Sequence, residues 1–304
     1  MHSITQAERQ QEFLSWKFGL FVHFGMSTFT GYDWSSGYED PALFRPDKLD
    51  CAQWADAAVS AGMKYMALTV KHTGGWCLWP SALTRHGVQQ FLNFRDGHGD
   101  IVREFVEACH SRKLKVGFYY CSPGNYGDAP YAHPRPAGMP MLRGMPPEAQ
   151  DDIPGFMREQ LRELFTQYGK IDLFWSDQWD ADWAGHLALI RELQPRCLVV
   201  ANNARDLSNS DVYSVEYNIA DNKDSLPEPG NTIPYELSDT IIASWFWNGK
   251  AEAPTKRTPK EIAELLRVCN SRSANLLFNV PPNPEGLISN LWLEYLREVN
   301  RLRG

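Results

Sequence analysis

The sequence lacks the patterns that mark the commonest metal and nucleotide sites. Its 304 residues contain no HxH, HExxH or CxxC pattern, and no glycine-rich nucleotide loop follows an apolar run. We therefore expect neither a metal nor a dinucleotide cofactor. The six cysteines are scattered, several within apolar runs, and we interpret them as free buried thiols. They are Cys51, Cys77, Cys109, Cys121, Cys197 and Cys269.

The chain also lacks a basic cluster and a long apolar run. Its net charge is −7, so nucleic acid and anionic membranes are poor candidates for partners. No apolar run is long enough to span a bilayer, and residues 1–17 are too polar for a signal peptide. These features predict a cytoplasmic protein, while a secreted or periplasmic location stays open if the N-terminus has been trimmed.

Eight strand-like runs are present, most of them separated by helix-like segments. They are residues 18–23, 65–72, 115–121, 171–175, 197–201, 212–215, 240–247 and 275–280. Strands that alternate with helices favour a parallel sheet, and eight of them predict a closed (β/α)8 barrel. We predict a single domain over 1–304, with a long loop rich in proline and glycine at 122–154.

Polar and aromatic residues stand where these strands end. In a barrel they would share one rim, made of His23, His72, Tyr120, Asp177, Asn202, Glu216, Trp245 and Asn279. Carboxylates, histidines and rings around one cavity suit the hydrolysis of a glycoside. Other roles stay open. The histidines could be structural, Asp177 could be a solvated loop acid or cap a helix, Glu216 could be solvated or pair with an arginine, and Asn279 could hold a turn.

Several short motifs occur in a fixed order along nearly the whole chain. They are His23-Phe24-Gly25, Asp33-Trp34, Tyr38-Glu39-Asp40-Pro41, Leu68 to His72, Gly117 to Tyr120, Phe174 to Asp177, and Asn275 to Asn283. Their order and spacing together resemble the α-L-fucosidases of glycoside hydrolase family 29. The resemblance implies an exo-acting retaining enzyme that removes terminal α-L-fucose from oligosaccharides or glycoconjugates and needs no cofactor.

The resemblance also implies roles for individual residues. Asp177 matches the nucleophile that forms a fucosyl-enzyme ester. The sugar-holding positions match His23, Asp33, Trp34, His72, Tyr120, Trp175, Arg205 and Trp245.

The acid/base glutamate has two candidates, because two subgroups of the family place it in different segments. Glu216 lies in a segment like that of the subgroup that accepts simple aryl fucosides. Glu236 lies in a segment like that of the subgroup selective for branched α-1,3/1,4 linkages. The segments 38–41 and 279–288 also resemble the second subgroup, so we place Glu236 ahead of Glu216.

Three departures from the family pattern bear on specificity and assembly. Thr73 stands where a second sugar-binding histidine is usual, and Asp33 replaces a longer glutamate. A C-terminal β-sandwich is not expected, so the rim would be completed by the 122–154 loop or by a neighbouring subunit in a homo-oligomer. Two alternative functions stay open: a hydrolase of a related sugar such as α-L-galactoside, and an inactive carbohydrate-binding homologue.

Overall fold

Eight parallel strands form a nearly closed barrel. The computed structural model describes residues 4–92, 94–122, 152–177, 182–217, 226–249 and 255–304. The strands are β1 (Phe18–Val22), β2 (Tyr65–Lys71), β3 (Lys115–Cys121), β4 (Leu173–Asp177), β5 (Leu198–Ala201), β6 (Tyr213–Glu216), β7 (Tyr235–Thr240) and β8 (Ala274–Asn279). Neighbours follow the order β5-β4-β3-β2-β1-β8-β7-β6. The predicted (β/α)8 barrel is confirmed.

Helices pack around the barrel, and the first of them contributes Phe13 to its interior. They are α1 (Gln6–Leu14), α2 (Ser27–Thr30), α3 (Cys51–Ser60), α4 (Ile101–Ser111), α5 (Ile153–Gln167), α6 (Trp183–Leu193), α7 (Pro259–Ser271) and α8 (Asn290–Leu302). Local sequence sets several helix starts, because a side-chain oxygen accepts from a free backbone N–H. Asp50 caps α3, Asp100 caps α4, and Thr258 with Glu261 forms a capping box at the start of α7.

Successive side chains of the strands point alternately to the two faces of the sheet and so form two apolar layers. Phe21, Tyr119 and Trp175 belong to the layer inside the barrel, together with Phe13 and Trp16, which lie in and just after α1. The residues next to them on the strands belong to the layer between sheet and helices. Because successive side chains point to opposite faces, a shift of one residue moves a side chain from the barrel interior to the helix layer.

The barrel closes between β5 and β6 through the contacts of Asp211, just before β6, rather than through a strand ladder. Buried Asp211 accepts from the backbone N–H of Val199 at 2.7 Å, and its own N–H donates to the Val199 carbonyl at 2.8 Å. Its carboxylate also pairs with Arg9 of α1 at 3.0 Å and with Arg191 of α6 at 2.6 Å. This network joins the two edge strands and places the ends of β5 and β6 side by side.

One predicted strand was misplaced. The sequence pattern favoured a strand over 240–247, whereas β7 spans Tyr235–Thr240 and residues 241–249 form a loop. The strand was missed because it carries polar residues that tertiary partners satisfy. Buried Asp239, for example, pairs with Lys256 at 3.1 Å and with Arg257 at 2.8 Å.

The predicted loop 122–154 lies outside the described residues except at its ends, and α5 begins at Ile153. Within the described segments, no helix is both long and apolar enough to cross a membrane.

Candidate active site

Asp177, the last residue of β4, is held by two hydrogen bonds. Tyr119 of β3 donates its hydroxyl to Oδ2 at 2.5 Å, and Asn202, just after β5, donates from Nδ2 to Oδ1 at 2.8 Å. Tyr119 in turn stacks on Trp175, with ring centroids 5.3 Å apart and a 22° tilt. The carboxylate therefore stands at the carboxyl end of the barrel in a fixed orientation, where ligands of this fold bind.

Glu216, the last residue of β6, shares the amide of Asn202 with Asp177. Nδ2 of Asn202 donates to Oε1 of Glu216 at 2.6 Å. The bonded oxygens of the two carboxylates are thus no farther apart than the sum of the two bond lengths, about 5.4 Å. Burial raises the pKa of Glu216 to about 7, and the negative charge of Asp177 adds to this rise against the lowering effect of the Asn202 bond.

Glu236 lies elsewhere, near the start of β7 and only 1% exposed. It is level with Ser214 of β6 and Asn275 of β8, toward the amino end of the barrel. Trp175 donates to its Oε1 at 2.8 Å and Tyr65 donates to its Oε2 at 2.9 Å. Burial raises its pKa to about 7 as well. The structure does not bring Glu236 to the rim that carries Asp177.

Two histidines at the ends of β1 and β2 line the same side of the site. Nδ1 of His23 lies 2.8 Å from Oδ1 of Asn279, and its ring stacks on Trp245 at 4.9 Å with a 28° tilt. His72 stacks on Tyr119 at 5.4 Å. Burial, followed by the nearby His72, holds the pKa of His23 well below its usual range, and burial lowers the pKa of His72 to about 3. Both imidazoles are therefore neutral near pH 7.

Asp33 and Trp34 lie on the segment between α2 and α3 and differ in exposure. The carboxylate of Asp33 accepts from Ser244 Oγ and from two backbone N–H groups, those of Trp245 and Phe246. Trp34 is 51% exposed. Asp33 thus contacts the loop that carries Trp245, while the ring of Trp34 remains open to solvent.

Two predicted sugar-binding residues point away from the barrel interior. Tyr120 is fully buried in the helix layer, where its hydroxyl bonds Gln160 at 2.8 Å and Lys71 at 2.5 Å. Arg205 donates to the hydroxyl of Tyr235 and lies over its ring, and Tyr235 also belongs to the helix layer. The structure does not place either residue with the two carboxylates.

Tyr119 is the residue that sequence analysis missed. Asp177 pairs in register with Cys121, and Trp175 pairs with Tyr119. An inward-pointing side chain two residues before the end of β3 is therefore expected beside Asp177, which selects Tyr119 over Tyr120. That signal depends on the register between β3 and β4, which the isolated motif Gly117 to Tyr120 does not contain.

Comparison with known proteins supports the same family as the sequence motifs. The model of the "Alpha-L-fucosidase" family matches residues 1–302. "Alpha-L-fucosidase 1" of Arabidopsis thaliana is 30% identical over 95% of this chain and 59% of its own length. "Tissue alpha-L-fucosidase" of Rattus norvegicus is 28% identical over 94% of this chain and 66% of its own length. This chain therefore spans about three-fifths to two-thirds of those relatives.

Solved structures agree as well. "Alpha-L-fucosidase isoenzyme 1 from Paenibacillus thiaminolyticus" superposes with a TM-score of 0.78 at 28% identity, covering 97% of this chain and 75% of that chain. The fold, the family match over 1–302 and the resemblance read from the motifs converge. The chain belongs to the alpha-L-fucosidase family, glycoside hydrolase family 29.

Proposed function

We propose that this chain is the catalytic barrel of an exo-acting, retaining α-L-fucosidase that releases terminal α-L-fucose from oligosaccharides or glycoconjugates. The observation that carries the proposal is the pair Asp177 and Glu216, whose oxygens share the Asn202 amide within about 5.4 Å. Retaining glycosidases hold their carboxylates about 5 to 5.5 Å apart, whereas inverting enzymes leave about 6.5 to 9.5 Å for a water.

Asp177 acts as the nucleophile in this proposal, and Glu216 as the acid/base. Asp177 attacks the anomeric carbon while Glu216 gives its proton to the leaving oxygen. The pKa of Glu216, about 7, keeps a large share of it protonated near neutrality. Once Asp177 has become an ester its negative charge is gone, so one cause of the raised pKa disappears. Glu216 is then better suited to take a proton from the attacking water.

Glu216 therefore replaces Glu236 as the first candidate for the acid/base. Glu236 has both oxygens bonded to Trp175 and Tyr65 and is 1% exposed. An acid/base must come within hydrogen-bond reach of the leaving oxygen, and a side chain enclosed near the amino end of the barrel does not.

Rescue by azide tests this assignment on an activated aryl fucoside. In Glu216→Ala, we expect slow breakdown of the fucosyl-enzyme and restoration by azide, with a fucosyl azide of the substrate's anomeric configuration as product. Glu236→Ala is the matched control and should not respond to azide. Rescue of Glu236→Ala without rescue of Glu216→Ala would show that the pairing with Asp177 is wrong.

We propose that His23 and His72 bind sugar hydroxyls as neutral imidazoles and that Trp245 covers an apolar edge of the sugar. Closeness to the branched-linkage subgroup remains a proposal that rests on segments 38–41 and 279–288, whereas Glu216 belongs to the segment used by the other subgroup. The ratio of kcat/KM on a Lewis-type oligosaccharide to that on an aryl fucoside decides between them.

Sugar release tests the activity itself. The substrates are an aryl α-L-fucoside, a Lewis-type branched oligosaccharide and an aryl α-L-galactoside, with Asp177→Asn as the blank. Fucose from the wild type and none from the variant is the expected result. Galactose release without fucose would favour the related-sugar hydrolase, which the exchange of a histidine for Thr73 makes the second candidate. Fucose binding without any release would favour a carbohydrate-binding role.

A further inference from the structure

A short aromatic turn after β7 forms one wall around the two histidines. The aromatic turn consists of Ser244, Trp245 and Phe246, within the loop 241–249. Trp245 stacks on His23, and Phe246 meets the rings of His23 and His72 edge-on at 5.3 Å and 4.9 Å. Since these residues belong to no helix or strand, their position depends on contacts from outside the turn.

Asp33 supplies such a contact from a distant part of the chain. Its Oδ1 accepts three hydrogen bonds from the aromatic turn, from Ser244 Oγ at 2.6 Å, from the Trp245 N–H at 3.0 Å and from the Phe246 N–H at 2.9 Å. Two successive backbone N–H groups and a hydroxyl aimed at one oxygen form an anion-binding concavity. The turn is therefore built around this carboxylate.

The charge of Asp33 has no other partner among the described residues. No lysine, arginine or histidine in that part of the chain forms an ion pair with it, and its Oδ2 takes part in no hydrogen bond there. A half-buried carboxylate without a cation is stabilised mainly by its hydrogen-bond donors. These donors all belong to the aromatic turn, so the turn and the carboxylate stabilise each other.

Asn279 holds the same turn from the barrel side. Its Nδ2 donates to the Trp245 carbonyl at 2.7 Å, and its Oδ1 meets Nδ1 of His23. The aromatic turn is thus fixed by its N–H groups to Asp33 and by a carbonyl to Asn279. Asp33 accepts the N–H of Phe246, the residue whose ring meets both histidines, and Ser244 Oγ lies 2.9 Å from the Phe246 carbonyl.

We propose that Asp33 is a positioning residue, whose carboxylate latches the aromatic turn so that Trp245 and Phe246 form the wall of the sugar pocket. The role deepens the proposed fucosidase function and rests on it. It differs from the sugar-binding role expected from sequence, because Asp33 acts on the sugar through the aromatic turn and not by a direct contact. Loss of the latch should weaken binding of ground state and transition state alike, since the wall contacts the sugar in both.

Kinetics on an aryl α-L-fucoside tests the latch. We expect Asp33→Ala to raise KM about tenfold with kcat changed by less than about threefold. Asp33→Asn should recover most of the loss, because a neutral amide oxygen still accepts the same three bonds. A residue that binds the sugar through its charge would instead lose as much in Asp33→Asn as in Asp33→Ala, and that result would overturn the proposal.

A double-mutant cycle with Ser244 separates the latch from direct binding. Ser244→Ala should raise KM about threefold in the wild-type background and clearly less in Asp33→Ala, because contacting partners are non-additive and the bond to Asp33 is already lost there, although Ser244 Oγ also lies 2.9 Å from the Phe246 carbonyl. Additive effects would refute the latch. Glu39→Ala is the matched control, because Glu39 accepts three bonds from Ser36 and Gly37 on the same segment. If Glu39→Ala raises KM as much as Asp33→Ala does, loosening of this segment alone explains the effect and the proposal is overturned.

Amide hydrogen exchange tests the latch without substrate. We expect the Trp245 and Phe246 amides to exchange at least about tenfold faster in Asp33→Ala than in the wild type, and to stay protected in Glu39→Ala. Unchanged protection in Asp33→Ala would overturn the proposal. If the exchange result holds while the wild type releases no fucose, the latch stands and the proposed activity fails.

Discussion

The fall of kcat/KM at high pH, the basic limb of its pH profile, should report the titration of Glu216 and not that of Glu236. Both pKa values are raised to about 7, so the pKa alone does not distinguish the two residues. Their positions do, because Glu216 bonds the Asn202 amide beside Asp177 and Glu236 lies enclosed near the amino end of the barrel. We expect kcat/KM of the wild type to fall above about pH 7, as the acid form of Glu216 disappears.

The size of the effect follows from the pKa of Glu216. At pH 7 about half of the Glu216 side chains hold a proton, whereas a pKa of 4.5 would leave only about one in 300 protonated. The environment of the site thus raises the acid fraction roughly 150-fold at pH 7. Above the pKa, kcat/KM should fall about tenfold per pH unit, which amounts to about a hundredfold at pH 9.

The assay compares Glu216→Gln with Glu236→Gln on a fucosylated oligosaccharide, whose leaving group needs a proton. Glu216→Gln should lose about a hundredfold to ten-thousandfold in kcat/KM and show no limb near pH 7. Glu236→Gln should keep the limb, because its amide oxygen still accepts from Trp175 and its N–H2 donates to the Tyr65 hydroxyl. A limb that persists in Glu216→Gln and vanishes in Glu236→Gln would refute the assignment.

Three further changes have expected outcomes. Asn202→Ala removes a bond that lowers the pKa of Glu216, so the basic limb should move to higher pH in a profile of kcat/KM, and an unmoved limb would contradict the shared-amide geometry. Tyr119→Phe removes the hydroxyl that orients Asp177, and kcat should fall about tenfold or more with little change in KM, as measured by steady-state kinetics. Lys71→Met concerns stability, because burial lowers the pKa of Lys71 from 10.5 to about 8. The unfolded chain keeps this proton up to about pH 10.5 while the folded chain releases it near pH 8, so in urea unfolding the stability of the wild type relative to Lys71→Met should rise by about 3 kcal/mol across that window. The difference between the two proteins is the quantity to measure, because burial raises the pKa of cysteines such as Cys77 and their titration lowers the stability of both proteins over the same range.

Asp177 and Glu216 could be selected from the sequence because both follow short buried runs. In a parallel barrel the carboxyl ends of all strands meet at one rim, so residues at these positions come together whatever lies between them in the chain. The helix caps at Asp50, Asp100 and Thr258 were predictable for a similar reason, because a cap involves only residues within one turn.

The choice between Tyr119 and Tyr120 depended on tertiary structure. Two identical residues in succession give no signal about which one faces the barrel interior. The register of β3 against β4 decides it, since it sets Tyr119 beside Trp175 and lets its hydroxyl reach Asp177. Register is a property of two paired strands, and neither strand carries it alone.

Glu236 shows what only packing could decide. By sequence it is a glutamate beside a run that leads to tryptophans, which suits an acid/base. In the fold it is the second residue of a strand whose polar side chains are satisfied by distant partners, Tyr65 and Trp175 for Glu236 itself. The sequence determined the family, the barrel and the residues at its rim, because these follow from periodicity and local order. Depth within the barrel and the direction of each side chain were decided by contacts between segments far apart in the chain.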